Sequence, residues 1–266
     1  MASGPGDKSR LYKTTDRCKS WKLMLKNKDK KGFWDAFDFR FNDLGYLLGD
    51  PVDGEFQLFL SFDRGKHWKQ QHNERFRTAE GTQGAFAASN SSLTQYNAPL
   101  AFGSGGSGGA FLYSLSENES CADSCRLEDE KWVRQPVPVG NNTDSSGVFS
   151  IGARVEGPAG RILSRVLMAV GGDYSKPSDS HNTAAFRLDF NEPWTAASVP
   201  PHGYRSSVEW SEDLNAWFTA GTNGSDISRD DGKTWSPIDD GNWNALSLPF
   251  VVGPKGRIAR LSVAGK

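Results

Sequence analysis

Short apolar and aromatic runs, separated by glycine-rich turns, recur along the whole chain. The first clear group of four runs covers residues 33–40, 45–50, 56–63 and 67–71, and three more groups of four follow it. Apolar and polar positions alternate only partly within these runs, as expected of strands whose sheet packs on both faces. No stretch has a 3.6-residue period, so the pattern predicts an all-β protein with little helix.

Glycine turns repeat at one position of each group, after its second run, as at residues 103–109 and 171–177. The opening segment, residues 4–8, fits the same position, which makes the chain begin inside a unit. Half a unit, four complete units and three final runs then predict about 21 strands. We therefore expect the inner edge of the first unit to be unpaired or covered by a non-standard strand, and the ring either to close irregularly or to need upstream sequence.

A second repeat ends each unit. Residues 61–68 and 228–235 share the form S-x-D-x-G-K-x-W, and residues 14–21 have the same form with Cys18 in the glycine position. Residues 187–194 are a weaker copy with Asn191 at that place, and a fifth copy keeps little beyond its tryptophan. The closing residues are Trp21, Trp68, Trp132, Trp194 and Trp235. Their separation of roughly 40 to 65 residues is the length of one four-stranded propeller blade with its loops.

The residue types in this octapeptide have a local physical role. The aspartate can accept hydrogen bonds from its own turn, glycine permits a positive φ, and tryptophan can fold over the turn. We therefore expect purely structural roles, with Trp68 and Trp235 buried. The residues with this expected role are Asp16, Trp21, Asp63, Gly65, Trp68, Asp189, Trp194, Asp230, Gly232 and Trp235.

The octapeptides resemble the Asp-box, or bacterial neuraminidase repeat, of β-propellers. Segments such as GGDYSKP, GYRSSV and VGPKGRIARL are similar to bacterial-type sialidase-like propellers related to photosystem II assembly-factor propellers. The resemblance covers nearly all of residues 3–262 and implies about five four-stranded blades, with an incomplete or irregularly closed ring. It implies one domain over residues 1–266, with a loop insert near 117–130. Related chains usually carry one or two more blades upstream and are often exported.

Composition and charge limit the partners. Thirty-one basic and 32 acidic residues give a net charge of -1, which provides no global field for nucleic acid. No apolar run approaches the ~18 residues of a membrane span, and the first residues lack the apolar core of a signal peptide. Four N-glycosylation tripeptides favour secretion only weakly, so the compartment stays open. The pattern shows no metal or cofactor motif, and Cys121 and Cys125 are either a small disulfide or an idle pair.

Propeller geometry places two kinds of loop on one face, opposite the octapeptide turns: those between the second and third strands, and the links between blades. Binding residues of propellers usually lie on such loops. We name this the loop face. Its candidate catalytic residues are Asp35, Asp50, Asp173, Tyr204 and Arg205, and its candidate ligand-binding residues are Trp34, Asp53, His181, Asn223, Asn244 and Lys255.

These candidates leave two functions open, a glycoside-cleaving enzyme and a non-catalytic recognition module. A sialidase needs three arginines around one carboxylate, and only Arg205 is clearly placed for this. A two-carboxylate glycosidase could pair Asp35 with Asp50 or Asp173, although the same aspartates also fit turn caps, and His181 fits either a base or a solvated side chain. Because no nucleophile–base pair is visible, the leading hypothesis is a non-catalytic recognition module that binds a protein or carbohydrate on the loop face. The alternative is a glycoside hydrolase or lyase.

Overall fold

The computed structural model describes residues 1–39, 44–78, 82–95, 100–115, 132–157, 164–189 and 192–262. In these residues twenty-one strands form six antiparallel sheets, accompanied by three short 3-10 helices, Gly6–Lys8, Glu74–Phe76 and Pro254–Gly256. The all-β prediction and its order of strands are confirmed. The insert near 117–130, with Cys121 and Cys125, and also Asn191, lie outside the described residues.

The strands fill the sheets in chain order. The first sheet contains β1 (Arg10–Lys13) and β2 (Lys22–Lys26). The second contains β3 (Trp34–Phe39), β4 (Gly45–Val52), β5 (Glu55–Ser61) and β6 (Lys69–Gln71). The third contains β7 (Leu93–Gln95), β8 (Leu100–Gly103), β9 (Phe111–Leu115) and β10 (Trp132–Pro136). The fourth contains β11 (Ser146–Glu156), β12 (Ser164–Asp173), β13 (Ala184–Arg187) and β14 (Thr195–Ala196). The fifth contains β15 (Ser207–Ser211), β16 (Ala216–Gly221), β17 (Gly224–Ser228) and β18 (Ser236–Asp239), and the sixth contains β19 (Ala245–Ser247), β20 (Phe250–Val252) and β21 (Ile258–Arg260).

Each of the innermost strands β3, β7, β11 and β15 contacts the innermost strand of the sheet that follows it, and the last of these contacts is made with β19. Every sheet is a simple antiparallel meander from the inside outwards. This radial order is that of a β-propeller with four complete blades and two partial ones. Apolar cores lie between consecutive sheets, for example around Phe56 and Tyr113 or around Met168 and Trp217. Burial on both faces explains why alternation along the strands is weak.

The turns at residues 14–21, 61–68 and 228–235, which we call the aspartate turns, share one hydrogen-bond pattern. In the third of them, Asp230 Oδ1 accepts the N–H of Thr234 at 2.9 Å, and Ser228 Oγ accepts the N–H of Gly232 at 2.9 Å. The indole N–H of Trp235 donates to the carbonyl of Gly232 at 3.1 Å. The amides of Gly232 and Thr234 are thus satisfied inside the turn, whereas the N–H of Trp235 donates to the carbonyl of Val199 outside it at 2.9 Å.

Two consecutive residues of each aspartate turn have a left-handed backbone conformation, with positive φ. Asp231 and Gly232 have φ of 60° and 82°, and Arg17 and Cys18 have 60° and 66°. A side chain in this region costs roughly 1–2 kcal/mol, which explains the glycine in the other two copies. The first turn keeps the conformation with Cys18 at that position, and there Ser20 donates twice to the Asp16 carboxylate. Hydrogen bonds from Ser20 lower the pKa of Asp16 to about 2.

The tryptophan that closes each unit packs against the preceding sheet. Trp235 is 3% exposed and lies in a core with Met168 and Phe186 of the fourth sheet. Trp68 packs beside Leu11 of the first sheet but stays only partly buried, because that sheet has just two strands. The expectation of a buried Trp68 is thus wrong. Trp21 has no preceding sheet in the described residues and is 57% exposed.

The first and last sheets are incomplete, as the count of runs predicts. The inner edge of β1 carries a single antiparallel bridge in which Ala2 and Arg10 exchange two backbone hydrogen bonds of 2.9 Å. The last sheet has three strands, and Phe250 and Ile258 on it are exposed. Among the described residues, the first and last sheets are therefore narrower than the four blades between them.

Replacing Trp235 by alanine should lower the free energy of unfolding by about 3–5 kcal/mol, because it empties a packed space between two sheets. Trp21→Ala should cost less than about 1 kcal/mol, because that ring is mostly in water. Chemical denaturation of both variants measures the difference. Equal losses would contradict the packing of each tryptophan on the sheet before it.

Candidate functional site

An open cavity of about 460 Å³ lies where loops of the second to fifth sheets converge. Asp35 and Asp50 come from β3 and β4, residues 85–88 from the link before β7, and Tyr174 and Tyr204 from loops that follow β12 and β14. These are the loop types that propeller geometry assigns to the loop face. The cavity therefore brings together three of the five candidate catalytic residues, Asp35, Asp50 and Tyr204.

Three of the residues that line the cavity sit at β-bulges. The ladder between β3 and β4 skips Asp35, the ladder between β4 and β5 skips Asp50, and the ladder between β11 and β12 skips Phe149. A bulge places an extra residue in one strand and redirects its side chain. The three side chains thus line the cavity instead of following the regular alternation of their strands.

Asp35 is almost completely buried, with 4% of its surface exposed. Its Oδ2 atom has no hydrogen-bond partner among the described residues. Asp50, in contrast, accepts the backbone N–H of Ala85 on Oδ1 at 2.9 Å. The cavity therefore contains one carboxyl group that the protein anchors and one that keeps an acceptor oxygen without a donor.

Burial shifts both carboxyl groups in the same direction. Burial, together with the charge of Asp50, raises the pKa of Asp35 well above its usual range, although a hydrogen bond from the backbone N–H of Asp50 opposes that shift. Burial also raises the pKa of Asp50, and the hydrogen bond from Ala85 opposes that shift. A neutral Asp35 can donate its proton in a hydrogen bond, and an ionised Asp35 can accept two.

Aromatic rings form the rest of the cavity around Phe149. Phe86 stacks on Phe149 with ring centroids 3.8 Å apart, and Tyr204 meets it edge-on at 4.8 Å. Tyr174 meets Phe149 edge-on at 6.0 Å and is 54% exposed at the rim. Burial, with a contribution from Tyr174, raises the pKa of Tyr204 above its usual value, so its hydroxyl stays neutral.

Arg205 lies outside the cavity, fully buried beneath the loop face. Its guanidinium donates to Asp226 on β17, to the carbonyl of Tyr204 at 2.7 Å, and contacts His202 Nδ1 at 2.9 Å. Its donors are thus directed to groups of the protein itself. None of the described residues that line this cavity is an arginine, so the cavity lacks the arginines that a sialidase uses to bind the substrate carboxylate.

Asp173 also lies outside the cavity, in a turn that saturates its carboxylate. Ser145 Oγ donates at 2.6 Å, Thr143 Oγ1 at 3.0 Å, and Ser175 donates both its N–H and its hydroxyl. Although burial acts to raise it, these hydrogen bonds lower the pKa of Asp173 to about 2. The arrangement is that of a turn cap, one of the two readings that the sequence leaves open.

Trp34 and Asp53 line a second cavity, of about 700 Å³, between the first and second sheets. Trp34 is buried there and meets Phe59 edge-on at 5.7 Å. Asp53 is exposed and pairs with Lys31 at 2.8 Å. Neither residue reaches the cavity of Asp35.

The other candidate ligand-binding residues do not line the cavity of Asp35 either. His181 is exposed and pairs with Asp179 at 2.8 Å. Asn223 donates to the carbonyl of His202 at 3.2 Å. Asn244 and Lys255 are exposed on the last link and in the last short helix. The loop face is thus broader than the cavity that it surrounds.

Sequence reasoning did not single out Phe149 or Asp144, which complete the cavity. The signal for Phe149 was weak, because bulges have no reliable sequence pattern. Asp144 lies in a polar segment, residues 141–145, whose composition is like that of many other turns in this chain, so nothing in the sequence distinguishes it.

Across the described ranges, no three His, Cys, Asp or Glu side chains cluster as a metal site, and no helix is long and apolar enough to cross a membrane.

No protein-family model and no curated protein matches the chain. Among solved structures, one described as "YCF48 bound to D1 peptide" is similar, with a TM-score of 0.47 and 11% sequence identity. The alignment covers 90% of this chain and 63% of the other, so this chain spans less than two thirds of that protein's length.

Replacing Asp35 by asparagine should raise the free energy of unfolding at pH 7. The pKa of Asp35 in the unfolded chain is about 3.9. For every unit by which the folded pKa lies above this value, ionisation of Asp35 lowers the free energy of unfolding by about 1.4 kcal/mol. The folded state binds this proton more tightly, so the penalty is present above the folded pKa and disappears as the pH falls towards about 3.9. The advantage of the variant should shrink over that window in denaturation curves. An advantage that is independent of pH would contradict a strongly raised pKa.

Proposed function

We propose that this protein is a non-catalytic recognition module that binds a segment of a protein partner in the cavity on its loop face. The observation that carries the proposal is the convergence of bulged acids and aromatic rings from four sheets on one open, concave site. Its volume of about 460 Å³ lies within the range of ordinary binding pockets.

The surroundings of the cavity favour a protein ligand. Tyr174 is exposed at the rim, and Phe86 is half-exposed beside it. Aromatic residues of this kind are enriched at protein interfaces and often dominate their binding energy. A rigid ring supplies a large contact area at a small entropy cost, so little ordering is required when a partner docks.

We also propose that the chain is related to the Asp-box propellers, including the sialidase-like and photosystem II assembly-factor-like ones, and that residues 1–266 form one domain. The three aspartate turns support the relation, because they share one hydrogen-bond pattern and one pair of left-handed residues.

Selection from a random peptide library displayed on phage tests recognition. Peptides selected on the wild-type protein should bind Tyr174→Ala about tenfold more weakly or worse, as expected for an interface residue of large effect. The matched control is Phe62→Ala, because Phe62 is 53% exposed within an aspartate turn. Its binding should stay unchanged.

Three results would contradict the proposal. They are a failure to enrich any peptide, binding that is equally strong to Tyr174→Ala, and binding on a glycan array that depends on Tyr174 without any peptide binding. The last result would assign the same cavity to carbohydrate.

A glycoside hydrolase is a second candidate, favoured by one observation. Asp35 and Asp50 share a cavity, and both pKa values are raised, which suits a general acid beside a second carboxyl group. A screen of chromogenic glycosides should then show turnover that disappears in Asp35→Asn. No turnover on the whole panel, or turnover that survives the substitution, would contradict this candidate.

A further inference from the structure

We propose that the cavity of Asp35 holds a positively charged group, the arginine or lysine side chain of a protein segment. The inference rests on the proposed recognition function and specifies its ligand. Three independent properties of the cavity lead to it: the sign of its charges, an acceptor atom without a donor, and its aromatic rings.

The charges of the cavity all have one sign. Asp35, Asp50 and Asp144 line it, and no lysine, arginine or histidine does so among the described residues. The nearest arginine in sequence to the cavity residues, Arg205, is paired with Asp226. Carboxyl groups that line one concave site reinforce each other's negative field, so this field favours the entry of a cation and opposes that of an anion.

One acceptor in the cavity has no donor. Asp35 Oδ2 is buried and unpartnered, although a carboxyl oxygen in this position normally finds a hydrogen bond. The neighbouring Asp50 already has Ala85 as donor. A guanidinium offers five N–H groups in a planar fork, and an ammonium offers three, so either could supply the missing bond once the Asp35 side chain rotates to expose Oδ2, which the protein covers in the described conformation.

The rings add a second attraction for a cation. Phe149 contacts the rings of Phe86, Tyr174 and Tyr204, and all four rings line the cavity. The negative face of an aromatic ring attracts ammonium and guanidinium groups, most strongly where water is excluded.

Protonation couples to this binding. The raised pKa of Asp35 keeps its proton to a higher pH than an ordinary aspartate, whereas a bound cation favours the ionised form. Binding should therefore release a proton, and affinity should fall as the pH decreases. The other titratable groups that face the cavity are Asp50, Asp144, Tyr174 and Tyr204.

The direct test uses small probes on the complete chain. N-acetyl-arginine methylamide, followed through the backbone amides of Ala85 and Ala87 by NMR, should bind. The citrulline analogue, which has nearly the same shape without the charge, should bind about tenfold more weakly or worse. Equal binding of the two probes would overturn the inference.

Variants locate the binding. Asp50→Asn keeps the oxygen that accepts from Ala85 but removes a charge, and it should weaken the arginine probe by about tenfold or more. Asp53→Asn removes the same charge from an exposed turn that does not line the cavity, and it should leave affinity unchanged. Equal effects of the two variants would show that only the general surface charge is involved, which overturns the inference.

Proton release gives a readout that does not depend on the size of the affinity. Calorimetry in two buffers with different ionisation heats should show a proton released on binding to the wild type and none from this residue in Asp35→Asn. Release that persists unchanged in Asp35→Asn would contradict the role of that residue.

The selected peptides separate the two proposals. If peptides depend on Tyr174 but contain no arginine or lysine that is required for binding, recognition stands and the cationic ligand is wrong. If the arginine probe binds and no peptide does, the cationic site stands and protein recognition fails. If neither binds, both fail.

Discussion

A carboxylate that accepts backbone N–H groups within its own turn is the interaction on which the rest of this structure depends. In the aspartate turns it holds two successive residues at positive φ, which reverses the chain between the third and fourth strands. In the second and third turns the reversal places a tryptophan against the preceding sheet, and the indole N–H of that tryptophan donates to the glycine carbonyl of the turn. The packing of successive sheets, and hence the central convergence of their inner strands, follows from this small unit.

Two aspartates on the loop face lie in similar local sequences but have pKa values that their surroundings shift in opposite directions. Both Asp50 and Asp173 follow a glycine at the end of the second strand of their sheet. Hydroxyl groups of Thr143, Ser145 and Ser175 surround Asp173 and lower its pKa, whereas Asp50 has one backbone donor and its pKa is raised. Asp173 therefore shapes a turn, whereas Asp50 is one of the acidic residues that line the cavity.

Much of the fold could be predicted, because its determinants are local. Glycines that permit positive φ, aspartates that cap turns and tryptophans that close them act within a few residues, so the number and order of strands follow from them. The loop face could be predicted as well, because propeller geometry fixes which loops lie on it. Three of its candidate residues, Asp35, Asp50 and Tyr204, line one cavity. The bulge at Phe149 and the pairing of Arg205 with Asp226 could not, because both depend on how distant strands align.

The second and third aspartate turns each take their carboxylate hydrogen bonds from their own octapeptide and pack a tryptophan on the preceding sheet, so one blade carries in its own sequence the contact to its neighbour. Tandem duplication of the coding segment for such a blade adds a sheet that already carries the wedge for its neighbour. Duplication or loss of one such segment would therefore change the number of blades in a single genetic step.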